Sequence, residues 1–283
     1  MENKKNKIII LLTATVNPNG MINTKLQDPI IRKEQYIEAV KYYLNNSIYS
    51  IVLCENSNYN FDELKSKYYK DRLEILTFKG NNFPKIYGKS FGEIEIIEYA
   101  LNNSKFLQQT NCFCKITGRV KITNINQIIE KAQARISLKK EIFCGNLLFY
   151  DTILSVCYIV TKDWFKEKIT ILKEILIKNP TKEMEQIIYK TVFNSKNLKF
   201  YSVFPEISGI CGSFNTKYVN VPFPQRQLEH YAILSKFYKN GHKYIHYLTI
   251  KLKWSFYVLI WKLYGGTDFW SNIDEQGIQK HLI

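Results

Sequence analysis

A chain of 283 residues, 46% hydrophobic and 23% charged, has an ordinary globular composition. It is long enough to bury the core of one large α/β domain, or of a domain plus a tail. Its 40 Lys and Arg against 25 Asp and Glu leave +15 at neutral pH, so its field favours anionic partners: nucleotide diphosphates, nucleic acid or an acidic membrane surface. No stretch reaches the roughly 18 apolar residues of a membrane span.

The basic start (Lys4, Lys5, Lys7) precedes an apolar run too short for a secretory h-region, with no small-residue cleavage site. The six cysteines lie mostly inside apolar, strand-like runs, which suits structural thiols and a cytoplasmic setting. Cys112-x-Cys114 lacks a second pair or a nearby His and does not read as a zinc site.

In chain order, residues 8–16 form a continuous apolar run, as expected for a parallel strand covered on both faces. Asn17-Pro18-Asn19-Gly20 breaks it, and residues 30–45 carry apolar side chains at helical spacing, with Arg32 near the start. Residues 50–54 are the second strand, closed by Glu55-Asn56-Ser57-Asn58. A short helix is predicted over 61–69, the third strand over 73–78, a helix over 88–101 and the fourth strand over 112–122. This alternation argues for a doubly wound, mostly parallel sheet.

Beyond residue 122 the alternation is lost. A helix is predicted over 125–140, strands over 142–150 and 154–160 flanking Asp151, and helices over 164–177 and 181–193. A small-residue loop, 204–213, follows. From about Arg226 the chain is basic and aromatic, so the expected division is a domain over 1–225 and a helical segment over 226–283.

Ligands of such sheets gather beyond the carboxyl ends of the strands. Thr13 and Thr15, residues 55–58 and residues 115–119 therefore converge on one crevice. Glu55, Asn56 and Ser57 offer acceptors for a nucleoside ribose or base, or simply form a capped turn. Gly88-Lys89-x-x-Gly92-Glu93 opens a helix whose N-terminal amides favour phosphate, without being a Walker or Rossmann motif. Lys115 and Arg119 flank Thr117-Gly118. Arg119 can grip two phosphate oxygens, Lys115 can act as a point charge, and Gly118 permits close backbone approach.

Asp151, Glu183 and Glu185 are the candidates for a general base, although Glu183 and Glu185 also suit a helix N-terminus. His242 and His246 share a helical face without a third ligand, so no metal site is expected there. Residues 244–264 interleave aromatic and aliphatic side chains with Lys251, Lys253 and Lys262. That pattern fits either an interfacial helix on anionic lipid or a packed C-terminal helix with a basic outer face.

Together these motifs resemble bacterial GT-A-type glycosyltransferases of capsule and lipopolysaccharide synthesis. The resemblance is carried by Thr13-Ala14-Thr15, the stretch 32–36, Glu55-Asn56-Ser57, Gly88-Lys89-x-x-Gly92-Glu93, Lys115-x-Thr117-Gly118-Arg119 and Ser208-Gly209-Ile210-x-Gly212-Ser213. It implies a GT-A-like (Rossmann-like) sheet flanked by helices, and transfer of a sugar from a nucleotide donor to a glycan acceptor, often lipid-linked. The segment 244–264 is in turn expected to hold such an enzyme against the inner face of the cytoplasmic membrane, where a lipid-linked acceptor would be found. In that family the fourth strand usually ends in a metal-holding Asp-x-Asp. Here Lys115 and Arg119 stand at that place, so the expectation is a donor site without a cofactor, a divalent ion being left open. The alternatives are a nucleic-acid-binding protein, suggested by charge and aromatic content but without a recognised binding motif, and a non-catalytic membrane-surface scaffold.

Overall fold

The computed structural model describes residues 8–65, 71–133, 143–149, 152–180, 182–193, 198–200, 203–218, 228, 230–235 and 244–263. Its first strand, β1 (Ile9–Ala14), is buried at every position. Ile10, Leu12 and Ala14 face one apolar cluster, while Ile9 and Leu11 face the other. That is why its sequence is a continuous apolar run rather than an alternating one.

Asp28 then caps α1 (Pro29–Asn46), its carboxylate accepting from the amides of Ile30 and Ile31, with Pro29 supplying a pre-set first turn. β2 (Ile51–Glu55) and β3 (Leu73–Thr77) follow, then α2 (Gly88–Asn103), α3 (Lys105–Gln108) and β4 (Cys112–Thr117). The predicted helix at 61–69 is a single 3-10 turn, Asp62–Leu64, within the described residues.

The predicted fourth strand does not run on to residue 122. It stops at Thr117, where the Gly118 amide bonds back to the Thr13 carbonyl at 3.0 Å. A Cβ on Gly118 would lie 2.7 Å from that same oxygen, so the glycine is required by contact between chain segments. The chain re-emerges as β5 (Lys121–Ile122), which leaves the main sheet and later pairs antiparallel with β11 (Ile207–Ser208).

After α4 (Ile125–Gln133) come β6 (Phe143–Gly145), β7 (Leu147–Phe149), β8 (Thr152–Ile153) and β9 (Cys157–Thr161). α5 (Lys162–Lys178), α6 (Met184–Phe193), β10 (Leu198–Phe200), β12 (Ile210–Cys211), β13 (Thr216–Lys217) and α7 (Tyr244–Leu263) complete the described elements. Seven strands form the main sheet in the order β10-β6-β9-β4-β1-β2-β3, with only β9 antiparallel to its neighbours. α1 and α4 cover one face and α2, α5 and α6 the other. This is the expected α/β, mostly parallel, helix-flanked architecture.

From β1 the chain winds outward through β2 and β3, then returns to place β4 on the other side of β1. That reversal is the switch point at which such sheets open a crevice. Leu228, His230 and Leu234 are buried.

Candidate functional site

A cavity of about 710 Å³ opens where β1 and β4 end. Thr13, Thr15 and Thr117 line it from the strand ends, Arg32 from α1, Lys89 and Glu93 from α2, and Glu183 and Glu185 from the start of α6. Arg119, in the turn after β4, and the 210–213 loop close one side, while Leu148, Leu154, Val156 and Phe204 give the other an apolar wall.

Two arginines dominate its electrostatics. Arg32 is 6% exposed, and its guanidinium donates to the carbonyls of Thr15 (2.8 Å) and Leu26 (3.1 Å) and to the Tyr36 hydroxyl (3.2 Å). Arg119 is 8% exposed; its Nη1 donates to Gln35 Oε1 (3.0 Å) and the Ile210 carbonyl (3.2 Å), and its Nε has no partner. Neither makes an ion pair among the described residues. Burial presses the Arg32 pKa below its ordinary value; Tyr36 opposes this and the nearby Arg119 charge adds to it. The buried Glu55 lies near enough to offset part of the Arg32 charge, and an anion in the cavity would add a direct partner for either arginine.

Lys89, in the first turn of α2, donates to the Ser213 hydroxyl and lies 3.6 Å from Glu183. The positive φ of Gly88 (71°) forms the bend into this helix, a conformation that suits glycine. Gly92 serves packing, since a Cβ there would sit 3.1 Å from the Phe83 ring.

Lys115 does not line the cavity. It is fully buried, paired with Glu93, and donates to the Ser155 carbonyl (2.8 Å) and the Thr117 hydroxyl (3.3 Å), with the Tyr158 ring centroid 5.5 Å away. The expectation that it meets the ligand directly is therefore corrected. A charged side chain on a covered strand needs a full set of partners, and these come from α2 and β9.

Glu55, Asn56 and Ser57 need the same correction. Glu55 is fully buried and accepts from the amides of Val16 (3.0 Å), Ser57 (2.8 Å) and Tyr59 (2.8 Å) and from the Ser57 hydroxyl. Asn56 Oδ1 accepts from the Thr15 hydroxyl (2.7 Å), and Ser57 Oγ from the Asn17 amide (2.9 Å). These residues lock the loops after β1 and β2 together, leaving no carboxylate oxygen for a nucleoside.

Glu185 is the distinctive acid. Ser155 Oγ donates to its Oε1, while Oε2 is shielded and unpartnered. Burial raises its pKa above the usual carboxylate range, and Glu183 pushes the same way against Ser155 and Lys89. Neither Ser155 nor the buried Tyr158, whose hydroxyl also lacks a partner, stood out in the sequence. Only their place opposite β4 marks them. Asp151 lies outside the described residues.

The residues at the end of β4 do not fit a divalent ion. Where the resemblance leads one to expect paired carboxylates, the turn offers Arg119, and the buried Lys115 already neutralises the nearby Glu93. Among the described residues no group of three or more His, Cys, Asp or Glu side chains is arranged to hold a metal.

No family model matches this sequence, and no curated protein does. Among solved structures, the chain is similar to a glycosyltransferase involved in the glycosylation of the major capsid of PBCV-1. The identity is 13%, covering 68% of this chain and 81% of that one, with a TM-score of 0.39. It is also similar to the glycosyltransferase GlyE of Streptococcus pneumoniae TIGR4, at 11% identity and a TM-score of 0.44, covering 69% of this chain but only 45% of that one. A third neighbour is a CMP:2-keto-3-deoxy-manno-octonic acid synthetase complexed with CTP, at 7% identity, 81% and 99% coverage and a TM-score of 0.39. These likenesses are loose, and the architecture rests on the sheet order and register described above.

Proposed function

We propose that this cavity binds a nucleotide-sugar donor by its diphosphate and transfers the sugar to a hydroxyl of a glycan acceptor. The carrying observation is the pair of buried arginines, Arg32 and Arg119, which share one cavity and lack a carboxylate partner among the described residues. Arg119, in the turn after β4, lines the cavity and supplies charge to phosphate oxygens. Arg32 supplies charge behind it, and Lys89 approaches from the start of α2.

In the reaction the bond between the anomeric carbon and the phosphate oxygen breaks, and a bond to the acceptor oxygen forms. Negative charge grows on the leaving nucleoside diphosphate, where fixed cations stabilise it most. The acceptor hydroxyl loses a proton, and Glu185 takes it. A carboxylate whose pKa is raised by burial is a better base than an exposed one.

The cations gather in one partly open cavity of small-ligand size rather than along an extended track, which favours this reading over nucleic-acid binding. A lipid-linked acceptor and a role in bacterial surface-polysaccharide synthesis rest on the motif resemblance alone. The direct test is to incubate the protein with a panel of nucleotide sugars, with and without chelator, and measure release of nucleoside diphosphate. Release that persists in chelator and disappears in Arg119→Ala supports the proposal. No release from any donor, with or without a glycan acceptor, rejects it.

A further inference from the structure

The last described helix, α7, turns an apolar stripe to solvent. Leu248, Leu252, Phe256, Leu259 and Leu263 are 43%, 74%, 59%, 57% and 77% exposed. At 3.6 residues per turn, all five fall within a sector of roughly 80°. Ile250, roughly 160° from the middle of that sector by the same geometry, packs against the core cluster beneath α2, α5 and α6. The stripe is therefore the outer face of a helix whose other side is docked. Lys251 and Lys253 are exposed and fall on either side of it, each roughly 60° beyond its edge.

In the sequence on either side of the stripe the charge is of one sign. Between Glu229 and Asp268 the sequence holds six lysines and no acidic residue. Two copies meeting through this face would bring their lysines together, a like-charge contact that costs energy. An anionic lipid surface satisfies both features, because the lysines meet headgroup charge while the leucines and phenylalanine enter the acyl boundary. No helix among the described residues is long and apolar enough to cross a membrane, so the helix would lie along the surface.

We propose that α7 is an interfacial helix that seats the protein on an anionic bilayer through its Leu248–Leu263 stripe and flanking lysines. The inference stands independently of the proposed reaction. Vesicle binding needs no nucleotide, and a failure of either leaves the other intact.

Co-sedimentation of the full chain with vesicles at low salt tests it. The protein pellets with phosphatidylglycerol-containing vesicles, stays in solution with pure phosphatidylcholine, and is released by high salt. Leu252→Gln with Phe256→Gln, and separately Lys251→Gln with Lys253→Gln, each lower partitioning about tenfold or more, the first by lost apolar insertion and the second by lost attraction. Both variants keep the wild-type melting temperature. Equal recovery in the soluble fraction with and without anionic lipid overturns the proposal. So does a lower melting temperature in the leucine–phenylalanine variant, which would mean that the chain itself covers the stripe. A wild-type dimer dissolved by that same variant overturns it too, by marking the face as a contact between copies.

Discussion

Gly212 lies against the end of the Arg119 side chain so closely that a Cβ on the glycine would fall 2.1 Å from Arg119 Nη2. The 210–213 loop therefore fixes where the guanidinium points, aided by the Ile210 carbonyl that accepts from its Nη1. A methyl group at 212 has to displace the flexible end of Arg119 rather than the backbone. Gly212→Ala should weaken nucleoside diphosphate binding about tenfold while changing stability by about 1 kcal/mol or less. The check is a double-variant cycle. If the loss acts through Arg119, Gly212→Ala with Arg119→Ala binds no worse than Arg119→Ala alone.

Lys115 and Arg119 stand four residues apart but should fail in opposite ways. Lys115→Met leaves Glu93 without its buried partner, and breaking such a pair costs about 3 kcal/mol. Arg119→Ala removes a charge that has no ion-pair partner here, so it should cost little stability and much activity. Thermal melts of the two variants separate them. The further substitution Glu93→Gln in the Lys115→Met background should recover part of the lost stability, because it removes the orphaned charge.

Glu185 makes a prediction with a definite sign. Its pKa is raised in the folded protein, so the folded state holds this proton more tightly than the unfolded chain. The burial penalty is therefore absent below the unfolded value of about 4.3 and grows as pH rises through the higher folded value. Glu185→Gln should melt above the wild type at about pH 8 and converge with it near about pH 4. The same variant should lose at least about a hundredfold in turnover, the usual worth of a general base. Wild-type turnover should rise with pH along a limb displaced upward from an ordinary glutamate. A variant with near-normal rates would move the base elsewhere.

Much of the sheet was legible because strand burial writes itself into composition: residues 8–12 are apolar throughout, and β1 is covered on both faces. The cations of the site were legible too, since Arg32, Lys89 and Arg119 stand at element ends where ligands gather. Their roles were harder to separate from those of Lys115 and Glu55. What distinguishes a buried structural charge from a ligand-facing one is its partners, and these are distant in sequence. Glu93 lies on α2 and Ser155 just before β9, while Val16 reaches Glu55 from another strand end. The end of β4 was misjudged because Gly118 reads as a place for ligand approach, whereas its missing Cβ makes room for the Thr13 carbonyl. Glu185 was one of three candidate acids, and only burial beside Ser155 sets it apart.

In the proposed reaction fixed arginines, rather than a carboxylate-held ion, receive the donor diphosphate. Calorimetric titration of a nucleoside diphosphate panel into the wild type and Arg119→Gln, all in chelator, tests this most directly. The wild type should bind at least one nucleoside diphosphate saturably, and the variant about tenfold or more weakly, with both proteins equally folded. Binding that vanishes in chelator, or that is equally tight in the two proteins, would contradict it.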